Sequence, residues 1–405
     1  MRWTSSTANE LILLPVLKAH KAASGQLIVT QKYLKGAAEY AKYWPGPVTS
    51  LFDVSPSPST DLDHVEVAGD LETHFIEMRP LDPKVLARRL QSASVVVSFL
   101  SPFEVATAEL CNRIGVPIIQ VSEYTLRTEC QIIDASGAKS ITKLRRKLWA
   151  WKAERLRRHL IRISAGLQCN GVPTFISYRE ICSDALLIFD NRVRQSDVIS
   201  FRELSRKANE IRAGRPLRLV YGGRFVPMKG VLHLPEVARH LRQAGVPFQF
   251  SIYGAGPEEN KLRTAISRYA LEDQVLIFQP VDFDNGWIPF LKQEADLFVS
   301  CHMQGDPSST YAEVMACGVP IAGYDNEAFK GIVDFSGSGF LAPMGRPRAL
   351  AGVIADLHRD RHRLLEAAKI GRSFSEQHCF EATFSRRVDH FLERSRHPIQ
   401  KEVAQ

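Results

Sequence analysis

Short apolar runs alternate with stretches of helical periodicity along almost the whole chain. Runs rich in Val, Ile, Leu and Phe predict strands over residues 26–30, 95–99, 116–121, 166–169, 185–188, 217–221, 248–253, 275–278, 297–300 and 320–323. Apolar residues recur at helical spacing over 83–91, 104–113, 232–244, 258–269 and 309–317. Short apolar strands that alternate with helices belong to parallel sheets covered on both faces, so the expected fold class is α/β. The strands form two groups, separated by the polar segment 191–216, which ends in RAGRP. This pattern predicts an amino-terminal domain over 1–200, a second over 201–378, and a tail over 379–405. A last amphipathic pattern covers 376–394, and the tail helix is expected to pack back on the first domain. The sequence has no internal repeat, and SPSPST at 55–60 reads as a local loop.

Composition narrows this picture. At 45% hydrophobic and 24% charged residues, the chain can build ordinary globular cores. Its seven cysteines are scattered, with no C-x-x-C, which argues against a disulfide framework or a structural zinc site. The apolar stretch 11–17 is too short for a leader and is soon followed by His20 and Lys21. No apolar run is long enough to span a membrane. A reducing, cytoplasmic setting is the expectation.

The net charge of +8 is unevenly spread. Residues 141–163, ITKLRRKLWAWKAERLRRHLIRI, hold nine Lys and Arg against one Glu. Leu144, Leu148, Trp151, Arg155 and Leu156 follow near-helical spacing, so the stretch reads as a cationic amphipathic helix. Two readings stay open: a surface helix with a solvated basic face, or peripheral attachment to anionic lipid on the inner face of a membrane. Nucleic acid is not expected, because neither zinc-finger spacing nor an aromatic ribonucleoprotein motif occurs.

Three blocks could carry chemistry. In QGDPSSTYAEVMACGVPIAGY (304–324), Ser308 or Ser309 can cap a helix that Gly318 ends, between two strands. That helix then starts at the carboxyl edge of a parallel sheet, where its free N–H groups, with Thr310, can hold phosphate or sugar oxygens. Glu313 lies one turn in, and a carboxylate there can accept from both hydroxyls of a ribose. In LRLVYGGRFVPMKG (217–230), Gly222 and Gly223 allow close approach of a ligand. Arg224 and Lys229 can then neutralise a diphosphate. In FQFSIYGAGPEEN (248–260), Gly254 and Gly256 form a G-x-G after a strand. The dinucleotide fingerprint is incomplete, since Glu259 stands at the third glycine position.

With these blocks together, residues 217–339 resemble the retaining glycosyltransferases of family 4, which have the GT-B fold. The resemblance rests on GGRFVPMKG, YGAGP, ADLFVSCH, EVMACGVPI and SGSGFLAP. It implies two facing Rossmann-like, doubly wound domains with a cleft between them. It also implies a nucleoside-diphosphate sugar as co-substrate, with no bound cofactor and no required metal. Arg224 and Lys229 would contact the donor diphosphate, Glu313 the donor ribose, and loop 306–310 would lie under the transferred sugar. The partners implied are that donor and a glycan or lipid-linked acceptor, as in polysaccharide or glycolipid assembly.

One departure is plain. The family usually carries two glutamates with seven residues between them, and the position eight before Glu313 is Gly305. Either Asp306 stands in for the first glutamate, or that role is lost. A catalytically silent GT-B scaffold and a nucleotide-sugar epimerase are the competing readings. In residues 1–200 the likeness is only in outline. Gly36 is a candidate for the usual glycine loop. In IQVSEYTLRT (119–128), Glu123 is either a site residue or a helix-starting acid, and Arg127 is a further candidate. The histidines are dispersed, and the Asp-x-Asp of Asp61 and Asp63 reads as loop polarity, so no metal site is expected.

Overall fold

The computed structural model describes residues 9–57, 64–67 and 74–396; Asp61 and Asp63 lie outside the described residues, as do 397–405 of the tail. The first domain is built on a seven-stranded parallel sheet. Its order is Ala185–Ile188, Gly166–Asn170, Ile118–Ser122, Ala93–Phe99, Glu10–Leu14, Val48–Phe52 and His74–Met78. The second domain holds a six-stranded parallel sheet. Its order is Val275–Phe278, Phe248–Tyr253, Leu217–Gly222, Leu297–Ser300, Ile321–Tyr324 and Phe340–Ala342. Helices cover both sheets, giving two doubly wound, Rossmann-like units.

The amino-terminal region departs from the sequence expectation. The run ELILL forms the strand Glu10–Leu14, buried throughout, that pairs with Val48–Phe52 on one side and Ala93–Phe99 on the other. The segment expected as the first strand, Leu27–Thr30, instead joins Ala19–Lys21, Val54–Ser55 and His64–Glu66 in a small mixed sheet. Helix Gln31–Tyr43 follows at once, capped by the Thr30 side chain, which accepts from the Tyr33 N–H. Gly36 therefore sits inside a helix and forms no glycine loop.

The helix Phe380–Arg394 lies against the first sheet, although it follows the second domain in sequence. Phe380, Phe384, Val388 and Phe391 pack with Tyr40, Trp44, Leu11 and Val95. Each fully buried side chain of this size contributes about 1.5–3 kcal/mol. Polar ties add direction: Arg387 Nε donates to Gln168 Oε1 at 2.8 Å, and the Arg394 guanidinium meets Asp184 at 2.6 Å. The chain thus crosses between domains twice, near 189–200 and near 378–380. The two crossings are bonded to each other. Phe380 N–H donates to the Val193 carbonyl at 2.7 Å, and the Asn191 amide donates to the His378 carbonyl at 2.8 Å.

The basic segment forms the helix Ser140–Ile163, but its faces are reversed from the amphipathic expectation. Toward the protein it turns Ala150, Ala153, Glu154, Arg157, Leu160 and Ile161. Arg157 is buried, bonded to Glu129 at 2.6 Å and to Glu154 at 3.1 Å. Leu144, Leu148 and Trp151 point outward at 58%, 62% and 60% exposure. The cause is that Arg157 pairs with buried Glu154 and half-buried Glu129, so the inward stripe is set by charge pairing and small residues.

Candidate functional site

A parallel sheet leaves a crevice at its carboxyl edge wherever neighbouring strands connect in opposite directions. In the second sheet this switch falls between Leu217–Gly222 and Leu297–Ser300, which pair directly. In the first sheet it falls between Glu10–Leu14 and Ala93–Phe99. Both edges open into one cleft of about 1060 Å³, lined by both domains and by the helix Phe380–Arg394.

On the second-domain wall, strand Leu217–Gly222 runs into Gly222, Gly223 and Arg224, all lining the cleft. Gly222 has a packing reason: a Cβ there would lie 2.4 Å from the Trp287 ring. Gly254 also lines the cleft, and a Cβ on it would lie 2.0 Å from the Gly223 carbonyl. Gly256 lies outside the lining, and its bare backbone makes room for Phe225, whose carbonyl a Cβ would approach to 2.6 Å. The G-x-G thus brings two loops together, with the Phe225 N–H donating to the Ala255 carbonyl at 2.8 Å.

The helix Ser309–Ala316 begins at the same edge. Ser308 occupies its cap position, yet its side chain makes no capping bond; the Ser308 N–H donates to the Asp306 carbonyl at 2.8 Å. Ser308 faces a small pocket next to the cleft, and Ser309 opens the helix without lining either. Thr310 and Glu313, one turn apart, both line the cleft. Glu313 is 2% exposed, and Arg192 Nε donates to its Oε1 at 3.2 Å. The guanidinium lies 3.9 Å from the centre of the Phe283 ring. Sequence reading missed Arg192, placing it in a polar linker; it meets Glu313 from 121 positions away.

Lys229 does not stand beside Arg224 in the cleft lining. It is buried, with its ammonium 3.0 Å from Asp306 Oδ2, and Asp306 Oδ1 has no hydrogen-bond partner among the described residues. At position 305 the Glu327 carboxylate occupies the side-chain space: a Cβ there would lie 2.3 Å from Glu327 Oε2, so a residue larger than glycine requires Glu327 to shift. The Gly305 N–H donates to Gln131 Oε1 at 2.9 Å, and the Gly305 carbonyl accepts from Thr128 Oγ1 at 3.3 Å. Arg127, an expected site residue, is mostly exposed and ion-paired with Glu327, outside the cleft lining.

On the opposite wall, Glu123 follows the strand Ile118–Ser122 and lines the cleft, as does Gly36 on its helix. Burial, first, pushes the Glu123 carboxyl from 4.5 up to about 7, and the negative charge of Asp190 adds to it. Lys32 opposes the shift and Asp306 reinforces it. This is a group that can hold or release a proton near neutral pH. Among the described residues, no cluster of three or more His, Cys, Asp or Glu could hold a metal ion. No described helix is long and apolar enough to cross a membrane.

The raised carboxyl has a stability consequence. Folded protein binds the Glu123 proton up to about pH 7, whereas the unfolded chain releases it near 4.5. Stability from this group is therefore fully present below about 4.5 and is lost as pH rises through 7. Glu123→Gln removes that loss. Urea unfolding should show the variant more stable than the parent at pH 8, with the gap closing toward pH 4.5; equal midpoints at pH 8 would contradict this.

Comparison with known proteins follows the same division into halves. Residues 201–374 match the sequence model of the glycosyl transferases group 1. The chain is 30% identical over 194 residues to the putative colanic acid biosynthesis glycosyltransferase WcaL of Salmonella typhimurium, covering 45% of this chain and 46% of that protein. It is 29% identical over 189 residues to the amylovoran biosynthesis glycosyltransferase AmsK of Erwinia amylovora, covering 44% and 45%. The chain thus spans about half the length of the curated relatives it matches. Over the whole fold it is similar to Anabaena HepE, solved in complex with UDP, with a TM-score of 0.63 at 15% identity, covering 95% of this chain and 99% of that one. The chain thus has the two-domain GT-B fold, and its residues 201–374 are similar to the glycosyl transferases group 1.

Proposed function

We propose that this protein transfers a sugar, with retention, from a nucleoside-diphosphate sugar to a hydroxyl of a glycan or lipid-linked acceptor in polysaccharide or glycolipid assembly. The observation that carries the reading is the pairing of Arg224 and Glu313 on one wall of a cleft whose other wall belongs to the first domain. Glu313 can accept from ribose hydroxyls, while Arg224 and the N–H groups opening helix Ser309–Ala316 face a diphosphate. In transfer, the bond from the anomeric carbon to the diphosphate oxygen breaks and a bond to the acceptor oxygen forms. The acceptor's proton passes to the leaving diphosphate, and Arg224 with the helix N-terminus offsets the charge that develops there. Lys229 joins them only by leaving Asp306. The names of WcaL, AmsK and HepE support a polysaccharide role and a uridine diphosphate donor. The side-chain-free position at Gly305 favours one rival, a nucleotide-binding scaffold without turnover.

A thermal-shift panel of UDP, GDP, ADP and dTDP tests donor binding, and turnover of the matching sugar nucleotides separates enzyme from scaffold. A ligand at about 100 times its dissociation constant should stabilise by roughly 2.7 kcal/mol. Glu313→Gln keeps shape but loses charge, and hydrogen bonds to a charged group contribute roughly 1.5–3 kcal/mol. Its activity should fall about tenfold or more with the fold intact. No melting shift with any diphosphate, or full activity in the variant, would remove the site from the account.

The outward face of helix Ser140–Ile163 supports a membrane-side acceptor. It combines exposed Ile141, Leu144, Leu148 and Trp151 with exposed Arg145, Arg146, Lys152 and Arg155. Apolar and cationic groups side by side suit an anionic interface, where each cation contributes roughly 1 kcal/mol. The protein should sediment reversibly with anionic liposomes at low salt and little with neutral ones. Replacing those four cations with Gln should abolish sedimentation and leave nucleotide binding unchanged. A parent protein that stays in the supernatant at low salt would refute the contact.

A further inference from the structure

We infer that Arg192 is a positioning residue that holds the Glu313 carboxylate ready for the donor ribose. The inference rests on the proposed role of Glu313 and adds to it a residue from the segment that joins the domains. A carboxylate as buried as Glu313 is costly unless it is paired. Its side-chain partner is Arg192, by a bond that engages Oε1 and leaves Oε2 to accept from a ribose hydroxyl. Without that partner the carboxylate would be free to turn away, and it would then be a poorer acceptor.

Arg192 is itself held in place. One face of its guanidinium lies on the Phe283 ring, at a distance where a cation is attracted to an aromatic ring. Its neighbours fix its backbone. The Asn191 amide donates to the carbonyls of Phe189 and His378, and the Val193 N–H donates to Asn191 Oδ1 at 3.0 Å. The Val193 carbonyl accepts from Phe380 at 2.7 Å. Its side chain is 45% exposed, so it faces the cleft and supports no core. A surface arginine without a task would gain little from one exposed pairing. This one is braced by a ring and by both chain crossings, with its Nε aimed at the buried Glu313 carboxylate.

The test compares each nucleotide with its 2′-deoxy form, because both carry the same phosphates. Any loss of positive charge felt by the diphosphate then cancels in the ratio. Calorimetric titration of the full chain would use UDP, GDP and ADP, each against its 2′-deoxy counterpart. The parent should favour the ribose form of its best ligand about tenfold or more. In Arg192→Ala that preference should fall to about threefold or less, and Arg192→Lys, which retains the charge, should recover part of it. Phe283→Ala, which removes the brace, should give an intermediate ratio, in which any change in base contact cancels, and serves as the second variant if the alanine at 192 fails to fold. An unchanged ratio in Arg192→Ala would overturn the inference while leaving the role of Glu313 standing. A parent protein with no preference for ribose in any pair would overturn the role of Glu313 itself, and the inference with it.

Discussion

The two crossings of the chain, bonded to one another by Phe380 to Val193 and by Asn191 to His378, are the contact on which the site depends. Parallel strands send every ligand-facing loop to one edge of a sheet, so a single domain offers only one wall. A second wall requires the chain to leave one sheet, build another, and return. Phe380, Phe384, Val388 and Phe391 make the return favourable by burying an aromatic face on the first sheet. With the ends of that loop tied side by side, the two carboxyl edges face each other across the cleft.

Two charge pairs organise the second-domain side, one in the cleft wall and one behind it. Arg192 meets Glu313 and Lys229 meets Asp306, so acids that would be costly alone are matched before any ligand arrives. Arg224 lines the cleft nearby. In the proposed function, binding an anionic donor is an exchange of partners in an electrostatically prepared wall. The facing wall differs, because Glu123 is buried near Asp190 and Asp306 and so keeps its proton to about neutral pH.

Much of the second domain was legible in the sequence. The strands Phe248–Tyr253, Val275–Phe278 and Leu297–Ser300 fall where their apolar runs predicted them. They are short, apolar and bounded by turns, because helices cover both faces of the sheet. The first domain was harder to read. Val48–Phe52 carries Thr and Ser in a buried strand, His74–Met78 is half polar, and the stretch overlapping ELILL was weighed and rejected as a leader, not read as a strand. The placement of the site candidates was legible where it is local. Glu313 on its helix and the Gly222–Arg224 turn follow from spacing along the chain. Arg192, the Glu327 carboxylate filling the space at Gly305, and the inward turn of Arg157 depend on residues far apart in sequence, which no periodicity encodes. Gly256 likewise lacks a side chain for the sake of Phe225, a backbone approach that only the fold reveals.

In the proposed function, one cleft wall reads ribose through Glu313 and diphosphate through Arg224. A crystal structure of the full chain with the nucleoside diphosphate that stabilises it most tests this directly. The account predicts both ribose hydroxyls on the Glu313 carboxylate, the diphosphate between Arg224 and the start of helix Ser309–Ala316, and the base toward Tyr253 and residues 280–283. A nucleotide seated elsewhere, or one in this cleft whose ribose leaves Glu313 untouched, would contradict it.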